Sequence, residues 1–233
     1  MKKLICGLLS ALFILTLTLG ASAKTVITVS GTGETAVPAD TAVVMLGMSM
    51  RDREVTVAQQ KVNEKIAAIR EALTAIGIPE ENVNTNYLNI YAVYDYERDN
   101  AEIKGYEAAS SLSIKVTDIE TVGRVIDAAF AAGANTLDGI SFSAGDTAAA
   151  QAASLEKAVA DAKAKAETLA AANGLSLTGV TAVNEGGTWS YDNSMGNFSA
   201  KEEAAADEAS GSTVVRAAKI IVSATVNVTY EAE

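Results

Sequence analysis

The chain has no histidine at any of its 233 positions and a single cysteine, Cys6. Without imidazole, the Ser-His-Asp and Cys-His arrangements that activate a nucleophile cannot be assembled. Zinc sites lose their imidazole and thiolate ligands together, leaving only carboxylates. Cys6 lies inside an N-terminal apolar run, so the rest of the chain has neither a disulfide nor thiol chemistry. Basic side chains are also scarce: 18 Lys and Arg stand against 29 Asp and Glu, a net charge of −11. A surplus of that sign repels phosphate backbones and anionic lipid headgroups, which argues against nucleic-acid and membrane-surface partners. It favours solubility.

What the N-terminus does contain is a leader pattern. Met1-Lys2-Lys3 is a positive start, Leu4 to Leu19 is apolar, and Ala21-Ser22-Ala23 is a small-x-small cleavage site. The run is short for a spanning helix, and small residues follow it instead of a basic stop-transfer cluster. Residues 1-23 are therefore expected to be a signal peptide, with the mature chain, residues 24-233, extracytoplasmic: periplasmic or secreted. An uncleaved N-terminal anchor is the alternative. No second hydrophobic span follows, so no membrane span is expected after cleavage.

Periodicity predicts an α+β fold with element order ββαββαβαββ, an antiparallel or mixed sheet with helices packed on it. Thr25 to Val29 alternates, and Ala42, Val44, Leu46, Met48 and Met50 share one face of a second strand. Val55, Val62, Ile66, Ile69, Leu73 and Ile76 then recur at helical intervals, with Gly77 and Pro79 as the stop. A tyrosine-rich strand and the run Lys104 to Val116 read as a hairpin turning near Arg98-Asp99-Asn100. Thr117-Asp118-Ile119-Glu120 reads as a capping box with Thr117 as the cap, opening a helix through Ile126 and Phe130. Leu137, Ile140 and Phe142 mark the next strand. An alanine-rich helix spans Thr147 to Asn173, with Leu155, Val159, Ala162 and Leu169 as its stripe. Strands near Thr178 to Asn184 and from Ile220 to Tyr230 close the pattern. Between them, residues 186-213 read as a long, acidic, flexible loop.

Motif by motif, chemistry is hard to find. Gly31-Thr32-Gly33 is followed by Glu34, Pro38 and another strand, with no helix to face a pyrophosphate. The pair reads as a bend or bulge. Asp95 to Asp99 mimics the start of a calcium loop, yet Asn100 stands where glycine is needed and Tyr106 where glutamate is. Met45, Met48 and Met50 could scavenge oxidant but read as core. No catalytic residue, cofactor or metal site is assigned, and the chain is read as not an enzyme. Tyr87, Tyr91, Tyr94, Tyr96 and Tyr106 form the one candidate interaction surface, with Tyr87 and Tyr91 on one strand face and Tyr94 and Tyr96 on the other.

Several long stretches, in order, carry a family likeness: ITVSGTGETAVPADTAVV, NYLNIYAVYDYE, GYEAASSLSIKVTDIETVGRVIDAAFAAGAN, GISFSAGD, AVADAKAKAETLAAANGLSL and IIVSATVNVTYEAE. Together they resemble the SIMPL-domain family, which includes bacterial periplasmic immunogenic proteins and proteins linked to oxidative-stress defence. The likeness covers nearly all of residues 24-233 and departs at the 186-213 loop. It implies an extracytoplasmic α+β domain that tends to self-assemble, and it carries over no catalytic residue. The expected function is thus non-enzymatic: self-association as a homo-oligomer, or interaction with an envelope protein, in an envelope or oxidative-stress response. The alternative is a small-molecule or divalent-cation binding protein using the acidic loop. A carboxylate-based hydrolase is the third reading, and acids so abundant point to no particular pair.

Overall fold

A computed structural model of the chain describes residues 24–95, 102–192 and 213–233. The strands are β1 (Thr25–Val37), β2 (Thr41–Asp52), β3 (Val83–Asp95), β4 (Glu102–Val116), β5 (Thr136–Ser143), β6 (Leu177–Asp192) and β7 (Ile220–Ala232). The helices are α1 (Val55–Ala75), α2 (Val122–Ala131) and α3 (Ala148–Ala172), with 3-10 turns at Glu80–Asn82 and Ile119–Thr121. Their order along the chain is the expected ββαββαβαββ, and the class is α+β. Two antiparallel sheets take the place of one: β1-β7-β6 and β3-β4-β2-β5. The described residues divide into two compact units, 24–33, 155–187 and 225–233 in one, 34–95, 102–154, 188–192 and 213–224 in the other.

The four-stranded sheet has one face built to be buried. Ala42, Val44, Leu46, Leu112, Ile114 and Val116 meet Ile69 and Leu73 of α1 and Val122, Val125, Ile126 and Ala129 of α2. Strand alternation supplies the first set and the three-to-four helical spacing the second. Met48 is buried in a neighbouring cluster with Ala58, Val62 and Ala108, and Met50 packs on it. Gly77, at φ 95°, ends α1, because that conformation suits glycine. The lead-in to α2 differs from expectation: Asp118, not Thr117, caps the 3-10 turn Ile119–Thr121, its carboxylate accepting from the Glu120 N–H at 3.1 Å, and α2 itself begins after Thr121 without a side-chain cap. Phe130 and Leu137 are exposed, so neither joins the core.

The other unit is built on alanine. Along α3 from residue 155 on, the buried positions are Ala158, Ala162, Ala166 and Ala170, one every four residues, while Val159 and Leu169 are each 45% exposed. The large residues expected on the stripe face outward, because α3 lies too close to β1 to admit them. A Cβ on Gly31 would stand 2.1 Å from the Ala158 carbonyl oxygen and 2.7 Å from the Ala162 Cβ. Gly31 and Gly33 therefore lie within a continuous strand and not at a bend, and at Gly31 a helix backbone approaches. In β7, Val226, Val228, Tyr230 and Ala232 alternate as buried residues, as the sequence predicts. β6 runs on through Asp192, so residues 186–192 are strand where a loop was expected.

Candidate functional site

The face of the four-stranded sheet turned away from α1 and α2 collects most of the polar side chains that the sheet orders. Its register places Arg51 opposite Glu107 and Gly47 opposite Ser111 between β2 and β4. Between β3 and β4 it places Tyr91 opposite Glu107 and Tyr87 opposite Ser111. Glu107 is the hub of one group. Its carboxylate accepts from the Arg51 Nε, from the Ser49 hydroxyl at 2.9 Å and from the Tyr91 hydroxyl. Those donors, Tyr91 first and then Arg51, hold the Glu107 carboxyl below the usual carboxylate range. The same hydrogen bond pushes the Tyr91 phenol up, and Glu107 raises the Arg51 guanidinium.

A second group sits on the neighbouring strands. Ser111, fully buried, donates to Asp138 Oδ2 at 2.5 Å. The Tyr87 hydroxyl also meets Asp138, and burial, then the Asp138 charge, raises the Tyr87 phenol. Asp138 reaches inward because β5 bulges: the pairing passes from Met45↔Gly139 to Leu46↔Leu137 and skips Asp138. Tyr87 can cross the sheet because Gly47 and Ser111 between the outer strands are small. Asn135 completes the local order by pairing its side-chain amide with both backbone groups of Ser49, at 2.8 Å each.

The five tyrosines of the candidate surface have different fates. Tyr87 and Tyr91 share this face, as expected. Tyr94 is exposed opposite Ile103, past a register shift between Val93 and Tyr94. Tyr106 lines a depression of about 280 Å³ with Arg51, Asp52, Arg53, Val93, Lys104 and Gly105. Tyr96 lies outside the described residues, as do the expected turn at residues 98–100 and most of the calcium-like stretch. Glu107, Arg51, Ser111 and Asp138 escaped the sequence reading because their grouping depends on strand register. The Asp138-Gly139 dipeptide, a bulge signal, was the one local trace of it.

These groups are poorly suited to acid–base chemistry. A general base works best with a pKa near the operating pH, and Glu107 is displaced the other way. Ser111 has a carboxylate for a partner and no solvent access. Among the described residues no group of three or more acidic side chains is placed to hold a metal ion. Beside its polar residues the hairpin exposes apolar ones: Leu88, Ile90, Tyr94 and Ile103 on one face and Tyr91 on the other are open to solvent.

Comparison with known proteins gives a consistent result. The family model SIMPL, described as a protein of unknown function (DUF541), matches residues 27–230. A 26 kDa periplasmic immunogenic protein of Brucella melitensis is 28% identical over 164 residues, 68% of this chain and 66% of that protein. The uncharacterized protein YggE of Edwardsiella ictaluri is 22% identical over 66% of this chain and 65% of its own length. Its namesake in Escherichia coli K12 is 22% identical over 49% of this chain and 47% of its own. The match thus spans just under two thirds of the length of the Brucella relative.

Proposed function

The chain belongs to the SIMPL family, and on that premise we propose that it is a non-enzymatic extracytoplasmic protein that works by association, with copies of itself or with another envelope protein. The observation that carries this reading is the exposed apolar surface that Leu88, Ile90, Tyr94 and Ile103 form on one face of the β3–β4 hairpin. Clustered exposed apolar side chains on a folded protein mark contact surfaces, and tyrosine, with an apolar ring and a polar tip, suits them. On the opposite face, the donors around Glu107 hold its carboxyl below the usual range, which supports a structural role for it over a catalytic one. The leader-like N-terminus and the periplasmic name of the Brucella relative support an extracytoplasmic location.

Light scattering behind a sizing column tests the proposal. The 24.0 kDa chain should elute as a discrete assembly, and the triple variant Leu88→Ser/Ile90→Ser/Ile103→Ser should weaken that assembly or its hold on an envelope partner. None of the three residues is buried, so the variant should keep its melt. A single chain at every concentration, with no captured partner that the variant loses, would sink the association reading.

A further inference from the structure

We infer that the depression beside Tyr106 is a binding site for a small organic carboxylate, held by Arg51, Arg53 and Lys104. This goes beyond the association reading and does not depend on it. The chain has 18 basic side chains against 29 acidic ones, yet three of the seven residues lining this depression are basic. Its one acid, Asp52, is already engaged: Oδ2 accepts from Lys61 Nζ at 2.7 Å and Oδ1 from the Glu54 N–H at 3.2 Å. Cations grouped in this way repel one another, and an anion between them relieves that repulsion.

The fold makes this depression at the end of β2. The last pair between β2 and β4 is Asp52↔Tyr106, so residues 102–105 of β4 run on past their neighbour. Gly105 keeps the space open, since a Cβ there would stand 2.7 Å from the Asp52 carbonyl oxygen. Lys104 is set by a bulge: the pairing passes from Val93↔Gly105 to Tyr94↔Ile103 and skips it. Such a residue leaves the strict alternation of the strand, which re-aims its side chain. Arg51 and Arg53 come from the other side, two positions apart, as the chain leaves β2 for α1.

Arg51 is the anchor. Glu107 accepts from its Nε and fixes the guanidinium, while neither terminal nitrogen bonds a described residue. A guanidinium held from behind at Nε presents its other two nitrogens as a fork that matches a carboxylate. The Arg53 side chain also has no partner among the described residues. Lys104 is 71% exposed and 3.7 Å from Asp95, a loose pair that an incoming anion can share. Val93 and Tyr106 give the depression an apolar side, and the Tyr106 hydroxyl bonds no described residue. A volume of about 280 Å³ lies at the small end of ligand pockets and suits a molecule of metabolite size. The apolar side takes the body of an organic acid. A net charge of −11 repels a doubly charged phosphate more than a singly charged carboxylate, which favours the latter.

Titration calorimetry of the purified protein with benzoate, inorganic phosphate and benzylamine tests the site. Benzoate should bind once per chain, phosphate more weakly, and benzylamine not at all. Arg53→Gln/Lys104→Gln should keep the wild-type melt, because neither side chain is buried. It should weaken benzoate by about tenfold or more, the loss expected for one charge-assisted hydrogen bond. Arg51→Lys, which keeps the charge and loses the fork, should weaken benzoate as well. Lys163→Gln removes an exposed charge elsewhere and should leave benzoate binding unchanged. No benzoate binding by the wild type, or the same affinity in all three variants, would overturn the site. A loss in Lys163→Gln equal to that in Arg53→Gln/Lys104→Gln would do so too. Phosphate bound more tightly than benzoate would overturn the choice of a carboxylate.

Discussion

Glu107 shows what a single side chain contributes here. It accepts from three neighbours, and its pKa lies below the ordinary 4.5. A carboxylate depressed in the folded state stabilises fully above its unfolded pKa and loses that contribution as the pH falls through its folded value. Glu107 is therefore fully effective at neutral pH and weakens below roughly pH 4.5. Glu107→Gln, which keeps the shape but not the charge, should cost about 1 kcal/mol at pH 7. Melts from pH 7 to pH 3 should show the gap to wild type narrowing on the acid side; a constant gap would mean that Glu107 is not the group being titrated. Tyr91 gives the companion readout, its phenol titrating closer to the ordinary value in the variant. None of this was legible in the residue string. Arg51 and Glu107 are neighbours only because β2 and β4 pair in one register.

At the scale of the element, α3 is the instructive case. Its alanine content announced a helix and close packing, both of which the structure has. Of the expected stripe Ala162 is buried and Leu155 half-buried, but Val159 and Leu169, assigned inward because they are apolar, face out. The reason is room: with Gly31 of β1 against the Ala158 and Ala162 backbone, a residue larger than alanine has no space. Ala162→Leu should accordingly destabilise by about 1–3 kcal/mol, as overpacking does. Val159→Ser should stay within about 0.5 kcal/mol, as surface changes do. Chemical denaturation of the two variants compares them directly, and equal losses would contradict the orientation of α3. The 3-10 turn before α2 is a smaller instance. Thr117 and Asp118 are both good caps by type, and Asp118 is the one that caps the turn.

For the molecule as a whole, the decisive feature is two sheets where one was expected. β7 is the central strand of β1-β7-β6, and Val226 within it is 2% exposed. A proline there removes a ladder hydrogen bond in mid-sheet, at about 3 kcal/mol or more, and clashes with its neighbours. Val226→Pro should therefore lose its cooperative melt, while Val226→Ala should lose only about 2 kcal/mol. Circular dichroism on heating distinguishes them, and a cooperative, unshifted melt for the proline variant would contradict the position of β7.

The sequence by itself determined the element order, the α+β class, the family and the absence of imidazole and thiol chemistry. These follow from local periods of about two and 3.6 residues and from residue types, which need no knowledge of distant neighbours. Tertiary structure alone decided that Gly31 makes way for a helix, that Ser111 meets Asp138, and that Asp161 and Lys165 of α3 bond the Thr32 N–H and the Ser30 carbonyl of β1. The bonds among these join residues 27 to 135 positions apart in the chain. Such pairings are fixed by packing and register, and nothing in a local window records them.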